Sequence, residues 1–262
     1  MKLTVDGRTV FATTGGTEFD AGKPAIVFLH GAGFDRTAWR LQTRWFAHHG
    51  RSVLAVDFPA HGWSDGPVLD SIPAMADWTA RLIEAAGLRQ AALVGHSMGA
   101  LVALDCAARH GDKVRALGLC GVATEMPVHP EMLESAKANT LKVQELMTFW
   151  GMGNALHKGG MVSPGLWLRR ESLAVLAGNR PDVIHTDLAA CNTYKDAPAR
   201  AAAVKCPTVF VLGDGDLMTP APKAKALVAA IAGSTSVTIP NCGHFMMVER
   251  PDETLEALKS CV

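Results

Sequence analysis

The chain has 262 residues, of which 48% are hydrophobic and 19% are charged, so it is long and apolar enough to bury a large core, and its composition excludes a disordered chain. Lys plus Arg and Asp plus Glu each number 25, for a formal net charge of +0, which argues against nucleic acid or an acidic membrane surface as a partner. No apolar run is long enough for a membrane span, no secretory leader is recognisable, and the 6 scattered Cys favour free thiols, so we expect a cytoplasmic protein.

The first predicted element is a β-hairpin, because Leu3 and Val5 alternate with polar residues and Asp6-Gly7 is a two-residue turn signal. Six short apolar runs follow, and their continuity favours strands buried on both faces of a parallel sheet. The runs are Ala25 to Leu29, Val53 to Val56, Ala91 to Val94, Ala116 to Leu119, Thr208 to Leu212 and Ser236 to Ile239. Helical patterns lie between or after them, at Thr37 to His49, Ile72 to Ala86, Met98 to Arg109, Ala221 to Ile231 and Asp252 to Ser260. This alternation predicts an α/β fold with a doubly wound, mostly parallel sheet.

One segment breaks the alternation. From Gly121 to Arg200 the sequence has helical patterns but no convincing strand. We therefore expect residues 1–120 and 201–262 to form the core domain, and residues 121–200 to form an inserted helical lid. The methionine and aromatic side chains of this segment either pack the lid helices together or line an apolar pocket.

The sequence Gly95-His96-Ser97-Met98-Gly99 predicts a nucleophile at a sharp turn. An apolar strand enters this G-x-S-x-G match and an apolar-faced helix leaves it, which is the context that exposes a serine hydroxyl between a strand and a helix. Small residues on both sides let the backbones pass closely. Ser97 is therefore the candidate nucleophile.

A serine hydroxyl needs a base that takes its proton and a carboxylate that orients the base. His244 directly follows the last apolar run, where a histidine can lie over the same sheet edge as Ser97. The loop after the preceding run offers two carboxylates, Asp216 and Asp214, and we favour Asp216. Glu125, after the fourth run, is a third candidate. The order serine, aspartate, histidine is the order expected for this kind of fold.

Acyl transfer also needs two backbone N–H donors aimed at the oxygen on which negative charge develops. His30-Gly31-Ala32-Gly33-Phe34 follows the first central run. We expect the amides of Ala32 and of Met98, the residue after the serine, to form this oxyanion hole.

These motifs resemble the α/β-hydrolase superfamily, and most closely its esterase, lactonase and C–C hydrolase branch. The resemblance covers nearly the whole chain and includes the loop Asp57-Phe58-Pro59-Ala60-His61-Gly62-Trp63-Ser64-Asp65, Gly213-x-x-Asp216, and Gly243-His244 with Glu249 and Pro251. Ala60 replaces a glycine that is usual in the family, and we expect little consequence. The family implies a helical lid over the active site, but because the lid varies most between members, the resemblance does not carry over a substrate.

The sequence thus predicts a serine hydrolase that cleaves a small to medium, largely apolar ester, lactone or thioester through an acyl-enzyme. We expect the substrate-binding residues to include Phe34, His96, Trp150, Trp167 and Phe245. No metal and no organic cofactor is expected, the partner is a small-molecule substrate, and the sequence leaves homodimer formation open. Alternative activities of the same three residues are C–C bond hydrolysis of vinylogous diketones and cofactor-free perhydrolysis or cyanohydrin chemistry. A ligand-binding receptor on a hydrolase fold is the alternative from a different class.

Overall fold

The computed structural model describes residues 1–157 and 167–262. Its centre is an 8-stranded sheet. The strands are β1 (Lys2–Val5), β2 (Arg8–Thr13), β3 (Ala25–Leu29), β4 (Ser52–Val56), β5 (Ala91–His96), β6 (Val114–Cys120), β7 (Thr208–Gly213) and β8 (Thr235–Ile239). Every residue of β3, β4, β5 and β7 is buried, as the continuous apolar runs predict.

The strand order is β1-β2-β4-β3-β5-β6-β7-β8. The predicted hairpin of β1 and β2 is antiparallel, and β2 pairs antiparallel with β4. All remaining neighbours pair in parallel, from β4 through β3 to β8. The sequence prediction of a mostly parallel α/β sheet with an N-terminal hairpin is therefore confirmed. Parallel strands bring their carboxyl ends to one edge, where the loops that carry Ser97, Asp216 and His244 begin.

The helices in the described ranges are α1 (Arg40–His48), α2 (Ile72–Ala85), α3 (Met98–Arg109), α4 (Pro130–Lys137), α5 (Leu141–Gly151), α6 (Asn154–His157), α7 (Leu168–Ala177), α8 (Val183–Thr193), α9 (Ala197–Ala203), α10 (Lys225–Ala230), α11 (Met246–Glu249) and α12 (Pro251–Lys259). Helices α2 and α3 contact each other, and so do α1 and α12. None of these described helices is long and apolar enough to cross a lipid bilayer.

Three predicted elements differ from the structure, and one of them is the helix predicted from Ala221, because Ala221–Ala224 form a 3₁₀ turn before α10. The last strand, β8, is not buried on both faces, because it lies at the edge of the sheet and four of its five residues are exposed. The helix predicted from Thr37 begins instead as a 3₁₀ turn over Arg36–Trp39 before α1. Asp35 accepts the amide hydrogen of Thr37 over 2.8 Å and so caps this turn.

Helices α4 to α9 all lie between β6 and β7 in the chain, and no strand occurs in the described residues of this segment. Helix α4 packs on α5 and α8, and α5 packs on α7. Helix α9 packs instead on α3 and α10. The division into a core domain and a lid at residues 121 and 200 stays a prediction.

Ala60 has a backbone φ of 70°, which lies in the left-handed region that favours glycine. The loop around it is held firmly: Asp57 accepts the amide hydrogens of Arg36 and Trp63 over 2.8 and 3.0 Å, and the Ser64 hydroxyl donates to the Asp57 carbonyl oxygen over 2.9 Å. Alanine therefore stands in a conformation that favours glycine, and the expectation that the replacement has little consequence stays a prediction.

Candidate active site

Ser97 lies at a sharp turn between β5 and α3, with a φ of 53° and a ψ of −115°, and its residue is 7% exposed. Its amide donates to the Cys120 carbonyl oxygen over 2.9 Å. A Cβ atom built on Gly95 would overlap the backbone of Gly99, and one built on Gly99 would lie 2.6 Å from the His30 carbonyl oxygen. The two glycines therefore let strand, turn and helix pass closely enough to form this conformation.

His244 and Asp216 meet at the same sheet edge, in the loops after β8 and β7. His244 donates its Nδ1 hydrogen to Asp216 Oδ2 over 2.8 Å. Asp216 Oδ1 accepts the amide hydrogens of Met218 and Thr219, each over 2.8 Å, and Oδ2 also accepts the Thr219 hydroxyl over 2.7 Å. Burial raises the pKa of Asp216, but the His244 charge and the hydrogen bonds from His244 and Thr219 outweigh it and lower this pKa to about 2. Asp216 is therefore an ionised acceptor that fixes the His244 ring with Nδ1 protonated.

The loop that carries His244 is hydrogen-bonded to the last residue of α5 and to the segment that follows it. The His244 amide donates to the Gly151 carbonyl oxygen over 2.6 Å. Glu249 Oε2 accepts the amide hydrogens of Gly153 and Gly243 over 3.0 and 2.9 Å. Burial raises the pKa of Glu249, and these amide hydrogen bonds oppose that effect. One buried carboxylate thus ties the histidine loop to the helical segment.

His96 holds the same loop from the other side. Its Nε2 donates to the His244 backbone oxygen over 2.9 Å, and the two ring centroids are 4.7 Å apart. Burial and the neighbouring His244 charge lower the pKa of His96 to about 3, so this ring is neutral. A Cβ atom built on Gly31 would lie 2.7 Å from His96 Nδ1. The close approach of the His96 ring to residue 31 therefore requires glycine at that position.

The turn from Gly31 to Phe34 lies beside Ser97. The Phe34 amide donates to the Gly31 carbonyl oxygen over 3.1 Å, and Gly33 has a φ of 68°. His30 supports the turn, because its Nδ1 lies 2.8 Å from the Gly31 oxygen and its Nε2 accepts the Phe58 amide hydrogen over 3.1 Å. Burial, followed by the His61 charge, lowers the pKa of His30 to about 3, so its Nδ1 can donate while Nε2 accepts.

The two amides predicted for the oxyanion hole lie near Ser97. Ala32 lines the same cavity as Ser97. Met98 is the first residue of α3, and the amides of a helix's first turn have no acceptor within the helix. Both positions suit donors for a developing oxyanion.

A cavity of about 420 Å³ opens over Ser97 and His244. Its walls are mostly apolar and come from the turn of residues 31–34 (the predicted oxyanion turn), the segment before α4, helices α4, α5 and α8, and the loop after β7. The lining residues are Gly31, Ala32, Phe34, His96, Ser97, Met126, Pro127, Val128, His129, Pro130, Met132, Met147, Trp150, Leu188, Cys191, Leu217, Met218, Thr219, His244 and Phe245. In the described parts of the chain, no Lys, Arg, Asp or Glu side chain lines it.

Of the five predicted substrate-binding residues, Phe34, His96, Trp150 and Phe245 line this cavity. Trp167 does not: it is 63% exposed, and the Arg170 guanidinium lies 5.9 Å from its ring centroid. The structure therefore does not bring Trp167 to this cavity, because it lies directly before α7 with most of its side chain exposed.

The alternative carboxylates lie away from His244. Asp214 is exposed and accepts the Cys242 amide hydrogen over 3.2 Å. Glu125 pairs with Lys195 over 3.2 Å at the surface. Neither forms a hydrogen bond with His244 in the described residues.

Sequence reasoning missed several residues of the site. Thr219 bonds Asp216 but carries no motif of its own. Leu188 and Cys191 form part of the cavity wall from α8, and their spacing of three along a helix is a signal that could have placed them on one face. Asp187, on the same helix, is fully buried, and no pattern in the sequence marks it.

Comparison with known proteins identifies the family and supports the fold. A family model described as the alpha/beta hydrolase family matches residues 26–257. The chain is similar to the pimeloyl-[acyl-carrier protein] methyl ester esterase of Chromobacterium violaceum, at 30% identity with 90% of this chain and 92% of the relative covered. It is also similar to the (E)-2-((N-methylformamido)methylene)succinate hydrolase of Acinetobacter baylyi, at 23% identity with 91% and 90% covered.

The structure resembles that of the enol-lactonase from Burkholderia xenovorans LB400, with a TM-score of 0.88 and 20% identity over 99% of this chain and 98% of that one. It also resembles an N-acyl homoserine lactone degrading enzyme, Est816, with a TM-score of 0.83 and 23% identity over 99% of both chains. Similarity at this level of identity supports the fold alone. Together with the match of the family model over most of the chain, it leads to one conclusion: this protein belongs to the alpha/beta hydrolase family.

Proposed function

We propose that this protein is a serine hydrolase that transfers the acyl group of a small to medium, uncharged ester, lactone or thioester to water through an acyl-enzyme. The observation that carries the proposal is the 2.8 Å hydrogen bond between His244 Nδ1 and Asp216 Oδ2, at the floor of the cavity that Ser97 lines. Because Nδ1 is the protonated nitrogen, Nε2 of His244 is left to accept a proton from Ser97.

The reaction runs in two halves. Ser97 Oγ attacks the substrate carbonyl carbon while His244 Nε2 takes the hydroxyl proton, and the amides of Ala32 and Met98 stabilise the resulting oxyanion. His244 then gives the proton to the leaving alcohol or thiol as its bond to carbon breaks. A water molecule repeats the attack on the acyl-enzyme, and the products are a carboxylic acid and free Ser97.

The lining of the cavity supports an uncharged acyl group. The described lining has no Lys, Arg, Asp or Glu side chain, so a charged group bound there would lose its hydration without an ion partner. Methionine side chains, among them Met126, Met132 and Met147, adapt to an irregular apolar ligand. The volume of about 420 Å³ lies in the range of small-molecule sites, roughly 300–1,000 Å³.

A relative supports the reaction class. The Chromobacterium violaceum protein, at 30% identity, is named as a methyl ester esterase. This name denotes cleavage at an acyl carbon. Helices α4, α5 and α8, which carry much of the cavity wall, belong to the proposed lid of residues 121–200.

The test is turnover of p-nitrophenyl esters and lactones of increasing acyl length by the wild-type chain and by Ser97→Ala. We expect the substitution to lower kcat by ~10⁶-fold, as removal of a nucleophile does in a serine protease. Labelling with a fluorophosphonate should disappear in the same variant. Ser236→Ala, on the exposed strand β8, is the matched control and should keep both ester turnover and fluorophosphonate labelling.

Retained labelling or ester turnover in Ser97→Ala would refute the proposed nucleophile. Turnover of a vinylogous diketone, with none of any ester or lactone, would instead assign C–C bond hydrolysis. A wild-type chain that neither labels nor turns over any of these substrates would favour a ligand-binding role.

A further inference from the structure

Asp187, on α8, is a buried carboxylate that the reaction above does not use. It is 0% exposed, and its Oδ2 accepts the Gly33 amide hydrogen over 2.8 Å. The same oxygen lies 2.8 Å from His61 Nε2. A buried carboxylate is strongly unfavourable unless it is paired and hydrogen-bonded, so both partners are needed to keep it there.

The Gly33 partner belongs to the oxyanion turn. The φ of 68° at Gly33 and the hydrogen bond from the Phe34 amide to the Gly31 oxygen are features of a type II turn. Types I and II differ in the orientation of the peptide that joins the two central residues, here Ala32 and Gly33. Because the bond to Asp187 holds the hydrogen of that peptide, it selects one orientation.

The helical segment holds the other side of Gly33 as well. Asn179 Nδ2 donates to the Gly33 carbonyl oxygen over 2.6 Å. A Cβ atom built on Gly33 would lie 2.9 Å from Leu176 and 3.0 Å from Ile184. The turn is therefore enclosed by residues of α7, α8 and the loop between them, and its conformation depends on where those helices lie.

His61 compensates the charge of Asp187. Its Nε2 faces Asp187, and its Nδ1 lies 3.1 Å from the Pro59 carbonyl oxygen. Both ring nitrogens therefore face hydrogen-bond acceptors. Only the imidazolium form carries a hydrogen on each nitrogen and can donate to both. Burial lowers the pKa of His61, but the charge and hydrogen bond of Asp187 outweigh it and the net shift is upward. The charge of Asp57 raises the pKa of His61 further. The centroids of the His61 and His30 rings are 4.8 Å apart. A neutralised pair can hold the turn without opposing negative charge on a substrate oxygen.

We propose that Asp187, paired with His61, is a positioning residue that fixes the oxyanion turn from the helical segment and so holds in place the turn that carries the Ala32 amide. The proposal rests on the proposed function, because it assigns Ala32 as an oxyanion donor. Leu188 and Cys191, on the same helix, line the cavity. Helix α8 thus joins the wall that contacts the acyl group to the turn that binds its oxygen.

The test compares Asp187→Ala and Asp187→Asn with His185→Ala, a control on the same helix. We expect Asp187→Ala to lower kcat for p-nitrophenyl butyrate by ~10- to 100-fold, below the ~10²- to 10³-fold loss of a whole donor, with KM little changed. The inhibition constant of an alkyl trifluoromethyl ketone, which forms a tetrahedral adduct with serine, should rise in proportion. Asp187→Asn keeps an oxygen acceptor for Gly33 and should recover most of the activity.

Asn179→Ala is a second variant, at a half-buried position, and it should produce a smaller change in the same direction. Hydrogen exchange of the Gly33 amide gives a readout that does not depend on turnover, and it should be faster in Asp187→Ala than in wild type. Unchanged kcat, inhibitor affinity and Gly33 exchange in folded variants would overturn the inference while Ser97 keeps its role. An inactive, unlabelled wild-type chain would overturn the proposed function, and Gly33 exchange would still test the contact.

Discussion

The Thr219 hydroxyl donates to Asp216 Oδ2 over 2.7 Å, on the same oxygen that receives the His244 Nδ1 hydrogen. The Thr219 oxygen also lies 3.2 Å from His244 Nδ1. Thr219 therefore touches both members of this buried hydrogen-bonded pair and limits how the Asp216 carboxylate can rotate. The Asp216 carboxylate accepts four hydrogen bonds, three from its own loop and one from His244. Its orientation therefore depends on that loop.

Thr219→Val should lower kcat by about 10-fold, because a hydrogen bond to a charged group contributes roughly 1.5–3 kcal/mol. KM should change little, since the loss affects the orientation of His244 more than substrate binding. Ester turnover under saturating substrate measures the effect. Thr219→Ser keeps the hydroxyl and should restore kcat, and Thr235→Val on the exposed β8 is the control. A Thr219→Val variant with wild-type kcat would contradict this account of Asp216.

Asp216 should make the stability of the protein depend on pH between about 2 and 4. Its pKa lies at about 2, below the ordinary value of 3.8, so its contribution is fully present above pH 3.8 and is lost as the pH falls through 2. The difference in unfolding free energy between the wild type and Asp216→Asn should therefore shrink by about 2 kcal/mol over this range. Urea titrations at a series of pH values measure it, and a difference that stays constant with pH would be inconsistent with the lowered pKa.

Ala60→Gly should stabilise the protein. The left-handed conformation of Ala60 costs an alanine about 1–2 kcal/mol, and the greater entropy of glycine in the unfolded chain offsets about 0.4–1 kcal/mol of the gain. We expect a net gain of up to about 1.6 kcal/mol, and each kcal/mol should raise Tm by about 2–4 °C. Ala226→Gly, at an exposed position of α10, is the matched control and should lower Tm. Equal losses of Tm in both variants would show that Ala60 is not strained.

Met147→Ala should shift the substrate preference toward longer acyl groups. Met147 is 3% exposed and lines the cavity, so its truncation lengthens the space available to an acyl chain. The ratio of kcat/KM for p-nitrophenyl octanoate to that for the butyrate measures the shift, and it should rise several-fold. Leu141→Ala, whose side chain is 69% exposed, should leave the ratio unchanged. An unaltered ratio in a folded Met147→Ala protein would mean that the acyl group binds elsewhere.

Much of the fold follows from the sequence, because burial along one element leaves a local pattern. The apolar runs identify β3 to β7, and the G-x-S-x-G match places Ser97 at the turn between β5 and α3. Edge position leaves no such pattern, since Val237 and Ile239 have the same apolar character as central residues. Only pairing with β7 on one side makes β8 an exposed edge.

The sequence alone determined the main strands and helices of the sheet domain, their alternation, and the residue types that serine chemistry needs. Each of these features depends on a few neighbouring positions in the chain. Only the tertiary structure decided which carboxylate reaches His244, because Asp214 and Asp216 share one loop and differ in the direction they face. It also decided that Trp167 lies in solvent and that Asp187 meets Gly33 across 154 positions of the chain. Contacts between elements that are distant in the chain depend on how helices and loops pack together. The hydrophobic pattern within one segment does not predict this packing.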